Sequence, residues 1–166
     1  MAQHPAIAIQ KMITYFDGDT RRINHALKVY GFAKCIAENE GLPAPSLEIV
    51  ELSAVLHDIG IKVSEAKYNS SAGPYQEKEG PAVAGELLAD LKLPQPVWER
   101  IAYLIGHHHT YSAIDGQDFQ ILVEADFLVN IEEDRLTKPQ IESIYHKYFK
   151  TPTGRALLSS MFSFSA

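Results

Sequence analysis

Between residues 47 and 56 the chain places apolar side chains on every side of a helical cylinder. Leu47, Ile49, Val50, Leu52, Val55 and Leu56 lead into Ala54-Val55-Leu56-His57-Asp58-Ile59-Gly60. A helix without a polar face is not stable on a surface, so this segment is expected at the centre of the fold. Ser46 is read as its N-cap, and Gly60, in a left-handed conformation, as its end. Elsewhere apolar residues recur three and four apart, which predicts helices nearly throughout. A first helix through Ile9, Met12 and Phe16 stops at Asp17-Gly18-Asp19. Asp19 or Thr20 caps a second, which carries Ile23, Leu27, Val29, Ala33 and Ile36 to near Gly41. The pattern resumes over 81–91, 96–108 and 118–131, and two weaker helices fill about 138–163. The stretch 63–76 contains Ser70-Ser71-Ala72-Gly73-Pro74 and reads as a flexible connection with a functional role.

At 166 residues and 46% hydrophobic content, the chain fits one globular domain over 1–166. A formal net charge of −6 lacks the basic footprint of a protein that tracks duplex nucleic acid. Cys35 is the only cysteine, so an intramolecular disulfide and a thiolate zinc cluster are both excluded within one chain. Any metal must therefore take nitrogen and oxygen ligands. Neither a secretory pattern nor an apolar run of about 18 residues is present, so no membrane partner and a cytoplasmic location are expected. The apolar segment Leu157-Leu158-Ser159-Ser160-Met161-Phe162-Ser163-Phe164 packs either on the domain or on a neighbouring copy, which leaves a homo-oligomer open.

Several polar residues sit where packing alone does not explain them. His57 and Asp58 end the most hydrophobic helix, and a buried aspartate is costly unless paired or coordinated. Asp126 lies inside Ile121-Leu122-Val123-Glu124-Ala125-Asp126-Phe127-Leu128-Val129 and needs a partner for the same reason. Asn130, four residues on, shares its face and reads either as a substrate contact or as a hydrogen-bond partner of Asp126. His25 follows Arg22 by three residues, which sets a ligand beside a phosphate-binding arginine; an interfacial histidine is the alternative. His107, His108 and His109 fan out around a helix end, so at most two point inward, and a solvated cap is the other reading. Together His25, His57, Asp58 and Asp126 suit Mn, Fe, Co, Ni or Zn as a divalent ion.

This order of residues resembles the HD superfamily of metal-dependent phosphohydrolases, in its HDIG variant. The resemblance rests on His25, the doublet in His57-Asp58-Ile59-Gly60, and Asp126, and it spans about 20–132. It implies an all-α HD-domain bundle of about five core helices with short peripheral ones. It also implies His25, His57, Asp58 and Asp126 as ligands of one metal, with Asp58 orienting the attacking water. Some members hold a second metal through a histidine on the next helix and a later His-His pair. His108-His109, or else His107-His108, resembles that pair, while Glu79 stands near the place of the missing histidine; a solvated first-turn glutamate is its other reading. The lysine that often follows the glycine is replaced by Ile61, with Lys62 one residue later. Lys62 then either reaches a phosphate or stays in solvent.

The resemblance thus implies a phosphohydrolase that uses a metal-activated water on a nucleotide or other small phosphorylated metabolite. Asp58, Arg22 and Lys62 would be catalytic, and Arg22, Lys62 and Asn130 would hold the substrate. Two alternatives stand beside it. One is an oxygenase with two irons, enrolling Glu79, His108 and His109. The other is a non-catalytic module that binds a metal or nucleotide.

Overall fold

The computed structural model describes residues 3–165, and among them every regular element is helical. In chain order these are α1 (His4–Phe16), α2 (Thr20–Asn39), α3 (Ala44–Leu56), α4 (Ile61–Tyr68) and α5 (Gly73–Leu88). They are followed by α6 (Gln95–Ile105), α7 (Gln117–Glu133), α8 (Lys138–Tyr148) and α9 (Pro152–Met161), with 3-10 turns at Ala89–Leu91 and Tyr111–Ala113. Among the described residues the fold is all-α, as expected. No helix among the described residues is long and apolar enough to cross a membrane.

Helix α3 is central because both of the molecule's apolar clusters draw on it. Its Val50 and Ala54 join Val29, Ala33, Phe119 and Leu122 on one side. Its Leu52, Val55 and Leu56 join Met12, Ile101 and Ile105 on the other. Each large apolar side chain so buried contributes roughly 1.5–3 kcal/mol, which fixes α3 firmly between α2, α6 and α7. Glu51, buried in the same helix, is neutralised by Lys34 at 2.7 Å and receives the Tyr30 hydroxyl at 3.2 Å.

Local sequence explains most of the helix ends and corrects three expectations. Asp19 caps α2, its Oδ1 accepting the Arg22 amide at 3.3 Å. Helix α3 begins two residues before Ser46, at Ala44, with Pro43 as the N-cap; a second proline, Pro45, fits the first turn because its missing N–H is not needed there. The same rule overturns the flexible connection at 63–76. Gly73-Pro74 opens α5 rather than breaking a helix, and α4 occupies much of the remaining stretch. Only 69–72 links them, with Asn69 left-handed at φ 52° and Tyr68 stacked on Tyr75 at 4.2 Å. Gly60 is right-handed, with φ −75°, and starts α4.

At the far end, Leu158 of α9 is buried, and Phe162 and Phe164 pack against the cluster around Phe119 and Leu122. The apolar C-terminal segment therefore covers its own chain.

Candidate metal centre

Helix ends position the central histidines. The last carbonyls of a helix have no intrahelical partner, and an imidazole just beyond can donate to one of them. His57 does this at the end of α3, its Nδ1 donating to the Ala54 carbonyl at 2.7 Å. His108 repeats the device after α6, its Nδ1 donating to the Ile105 carbonyl at 2.8 Å. In both rings the proton on Nδ1 leaves the Nε2 lone pair free and aimed inward. His25, buried in α2, reaches the same state by donating from Nδ1 to Glu133 Oε2 at 2.9 Å. Fixing a ring by its remote nitrogen is how proteins orient metal-ligating imidazoles.

The atoms left free converge. His25 Nε2 lies 3.2 Å from His57 Nε2, 3.3 Å from Asp58 Oδ2 and 3.2 Å from Asp126 Oδ1. His57 Nε2 lies 3.3 Å from Asp58 Oδ2 and 3.4 Å from Asp126 Oδ1. Donor atoms about 2.1 Å from one shared ion stand roughly 3.0–3.4 Å apart when adjacent, so the spacing of His25, His57 and Asp58 fits a divalent cation, with Asp126 Oδ1 set against the same two imidazoles. Asp126 Oδ1 is buried without a hydrogen-bond partner. Glu124, two residues earlier and on the opposite face of α7, provides a contrast. Burial raises the Glu124 pKa, yet its oxygens accept from Gln120, from the Lys150 and Thr151 amides, and from the Thr151 hydroxyl. Asp126 faces only imidazole lone pairs and another carboxylate.

Electrostatics agree with that geometry. Burial works against charge on His57, but Asp58 and Asp126 outweigh it and hold the pKa well above the usual imidazole value. Burial also opposes ionisation of Asp58, and His57 and His108 overcome it to keep this carboxyl well below its usual range. Asp126 is lowered in the same way, against burial, by His25 and His57. The pocket is a concentrated negative field that takes up positive charge, as protons on the imidazoles or as a cation.

A second set of donors shares Asp58. Its Oδ1 lies 3.3 Å from His108 Nε2, another buried atom with no hydrogen-bond partner. Asp58, His108 and His109 each bring a ligand atom within 4.8 Å of the others. Burial, then the neighbouring His108, lowers the His109 pKa to about 4, so this ring stays neutral and able to ligate. Asp58 thus offers one oxygen to each set, the arrangement of a bridging carboxylate.

Other candidates are placed differently. Glu79 accepts from Tyr68 at 2.8 Å and Lys67 at 2.9 Å, which draws its carboxylate into a separate ion pair. Gln76, one turn earlier on α5, is the residue near the second set, its Oε1 3.4 Å from His109 Nε2. His107 turns back to the Tyr103 carbonyl and stacks on that ring at 4.1 Å. Lys62 donates to the Tyr15 carbonyl at 3.1 Å and lies over the Tyr15 ring, away from the cluster. Arg22 borders the cluster but is held by Asp19 at 3.2 Å and by both oxygens of Glu65. A cleft of about 200 Å³ opens onto His25 and Asp58, and Arg21, Arg22, Asn130 and Glu133 also line it.

Glu133 is a candidate site residue that the sequence reading missed. It lies seven residues after Asp126, so Asp126, Asn130 and Glu133 form one stripe along α7 facing His25. That spacing was available as a signal. Glu133→Ala is expected to weaken metal affinity by roughly 10–100-fold, since it frees the His25 ring. Metal titration of the variant, with helicity checked by circular dichroism, measures the effect; unchanged affinity would remove Glu133 from the site.

Comparison with known proteins places the chain by family and by fold. The HD domain family matches residues 22–144. The fold is similar to the crystal structure of a predicted HD superfamily hydrolase from an uncultured Thermotogales bacterium, at TM-score 0.68 and 23% identity, over 95% of this chain and 84% of that one. No curated protein matches the chain in sequence.

Proposed function

The chain belongs to the HD domain family, and from that premise we propose that it is a metal-dependent phosphohydrolase acting on a nucleotide or another small phosphorylated metabolite. One observation carries the reading: the Nε2 atoms of His25 and His57 each lie 3.2–3.4 Å from an oxygen of Asp58 and from the partnerless Asp126 Oδ1. The structural relative described as a hydrolase supports the same class of reaction.

A bound divalent cation of the Mn, Fe, Co, Ni or Zn kind would supply Lewis acidity and lower the pKa of a coordinated water. The chain's own residues do the rest. Asp58, kept ionised by His57 and His108, has an oxygen with which to accept a proton of the attacking water and orient it. Glu133 and the Ala54 carbonyl keep the His25 and His57 rings from turning. The Asn130 amide lies in the cleft, where it can donate to a phosphoryl oxygen, and Arg22 adds positive field from its place between Asp19 and Glu65.

A bridging position for Asp58 favours a second reading, an oxygenase with two irons. Metal analysis separates the two. The expected result is one or two divalent ions per chain with turnover of p-nitrophenyl phosphate or a nucleoside monophosphate and no O₂ consumption. Two irons with O₂ consumption and no phosphate release would replace the proposal. Tight ligand binding without any turnover would point instead to a binding module.

A further inference from the structure

The positively charged residues around the centre are almost all committed to carboxylates of the chain. Arg22 is bound by Asp19 and Glu65, Lys28 by Glu133 at 2.8 Å, and Lys67 by Glu79 at 2.9 Å. Lys62 is tied to the Tyr15 carbonyl. Arg21 differs. It lines the same cleft as His25 and Asp58, is exposed, and makes no ion pair among the described residues. On α2 it precedes His25 by four residues, so the two side chains stand one above the other on one helix face.

We infer that Arg21 is the residue that binds the substrate's anionic group, and that the cleft selects a single phosphate on an otherwise uncharged carrier. The assignment rests on the phosphohydrolase reading and deepens it. A guanidinium with no acidic partner can bind phosphate through two parallel N–H donors without breaking any contact of the protein. Arg22 would first have to release two carboxylates. The charge balance sets the substrate class. Beside Arg21 the cleft wall carries Glu133 and Asp134 from the end of α7. Glu133 is itself engaged by Lys28 and His25, so Asp134 is the carboxylate left open beside Arg21 among the described residues; one cation with that neighbour suits one phosphate, whereas the added charges of a di- or triphosphate would meet like charge. The volume agrees, since about 200 Å³ is small beside the roughly 300–1,000 Å³ of pockets that enclose whole drug-sized ligands.

Calorimetric titration of inorganic phosphate into metal-supplemented protein tests the assignment, with wild type, Arg21→Ala and Arg21→Lys compared at equal ionic strength. Loss of a charged hydrogen-bonded contact is expected to weaken phosphate binding roughly 10–100-fold in Arg21→Ala. Arg21→Lys should recover part of it, and metal content should be the same in all three proteins. Unchanged phosphate affinity in Arg21→Ala overturns the assignment, as does a parallel loss of metal, which would reveal a structural role. Competition completes the test: AMP should displace phosphate better than ATP, and the reverse order overturns the substrate class. If phosphate binds through Arg21 but no phosphate ester is turned over, the phosphohydrolase reading falls while the anion site stands.

Discussion

Asp58→Ala is expected to lose both metal and hydrolytic turnover, the latter by at least ~10³-fold, in a protein that still folds. Asp58 places an oxygen near each set of donors: Oδ2 stands 3.3 Å from His25 and His57, and Oδ1 stands 3.3 Å from His108. Its removal takes a ligand from any ion bound there and removes the acceptor that orients the water. Stability should fall modestly without loss of the fold, because the carboxylate is not part of the apolar core but its ionised form is favoured in the folded state by His57 and His108. Retained helicity, metal content by elemental analysis, and phosphate release together decide the matter. A folded, metal-free variant that still turns over phosphate esters would end the phosphohydrolase proposal. Asp58→Asn refines the test, since the amide keeps the shape but loses the charge and should recover little activity.

The sequence revealed the frame of this centre more readily than its surroundings. A doublet at the end of an all-apolar helix, and a carboxylate within another, are conspicuous because burying such groups is costly without a partner. His57, Asp58 and Asp126 were legible for that reason, and the structure sets their free atoms beside His25. Which cation faces the cleft was not legible. Arg22 and Lys62 lie at suitable positions along the chain, but Asp19, Glu65 and Tyr15 decide where their side chains go. Those partners are distant in sequence, apart from Asp19, and no local pattern reveals them. The second set of donors shows the same limit. Glu79 has the right residue type, yet Lys67 and Tyr68 draw it into another contact, and Gln76 comes near His109 instead. Turn chemistry misled in a different way. Ser70-Ser71-Ala72-Gly73-Pro74 has the composition of a loop, but proline in a first helical turn is favourable, and Gly73-Pro74 opens α5 after a link of only four residues, 69–72.

Gly60→Ala should be strongly damaging, although its backbone poses no obstacle. With φ −75° the position would accept any residue. The constraint is distance. A Cβ there would lie 2.6 Å from the Gln76 carbonyl oxygen, 2.7 Å from the Gly80 amide nitrogen and 2.9 Å from Gly80 Cα. All three atoms belong to the backbone of α5, so no side-chain rotation relieves the clash and the helix itself must move. Overpacking of this kind typically costs about 1–3 kcal/mol, and a purely backbone clash belongs at or above the upper end. For a chain of this size, ~3 kcal/mol lowers Tm by roughly 6–12 °C. Gly31→Ala on α2 is the matched control, because its Cβ would meet nothing within 4 Å. There the gain in helix propensity should stabilise the protein by about 0.5–1 kcal/mol. The site should register the Gly60 change as well. Asp58 lies two residues before Gly60, and displacing α5 moves Gln76 away from His109. Metal affinity is therefore expected to fall in Gly60→Ala even below its melting range, while Gly31→Ala leaves it unchanged. A Gly60→Ala protein with wild-type Tm and metal affinity would show that α4 and α5 can separate freely, and that the glycine of the doublet motif is not there for close packing.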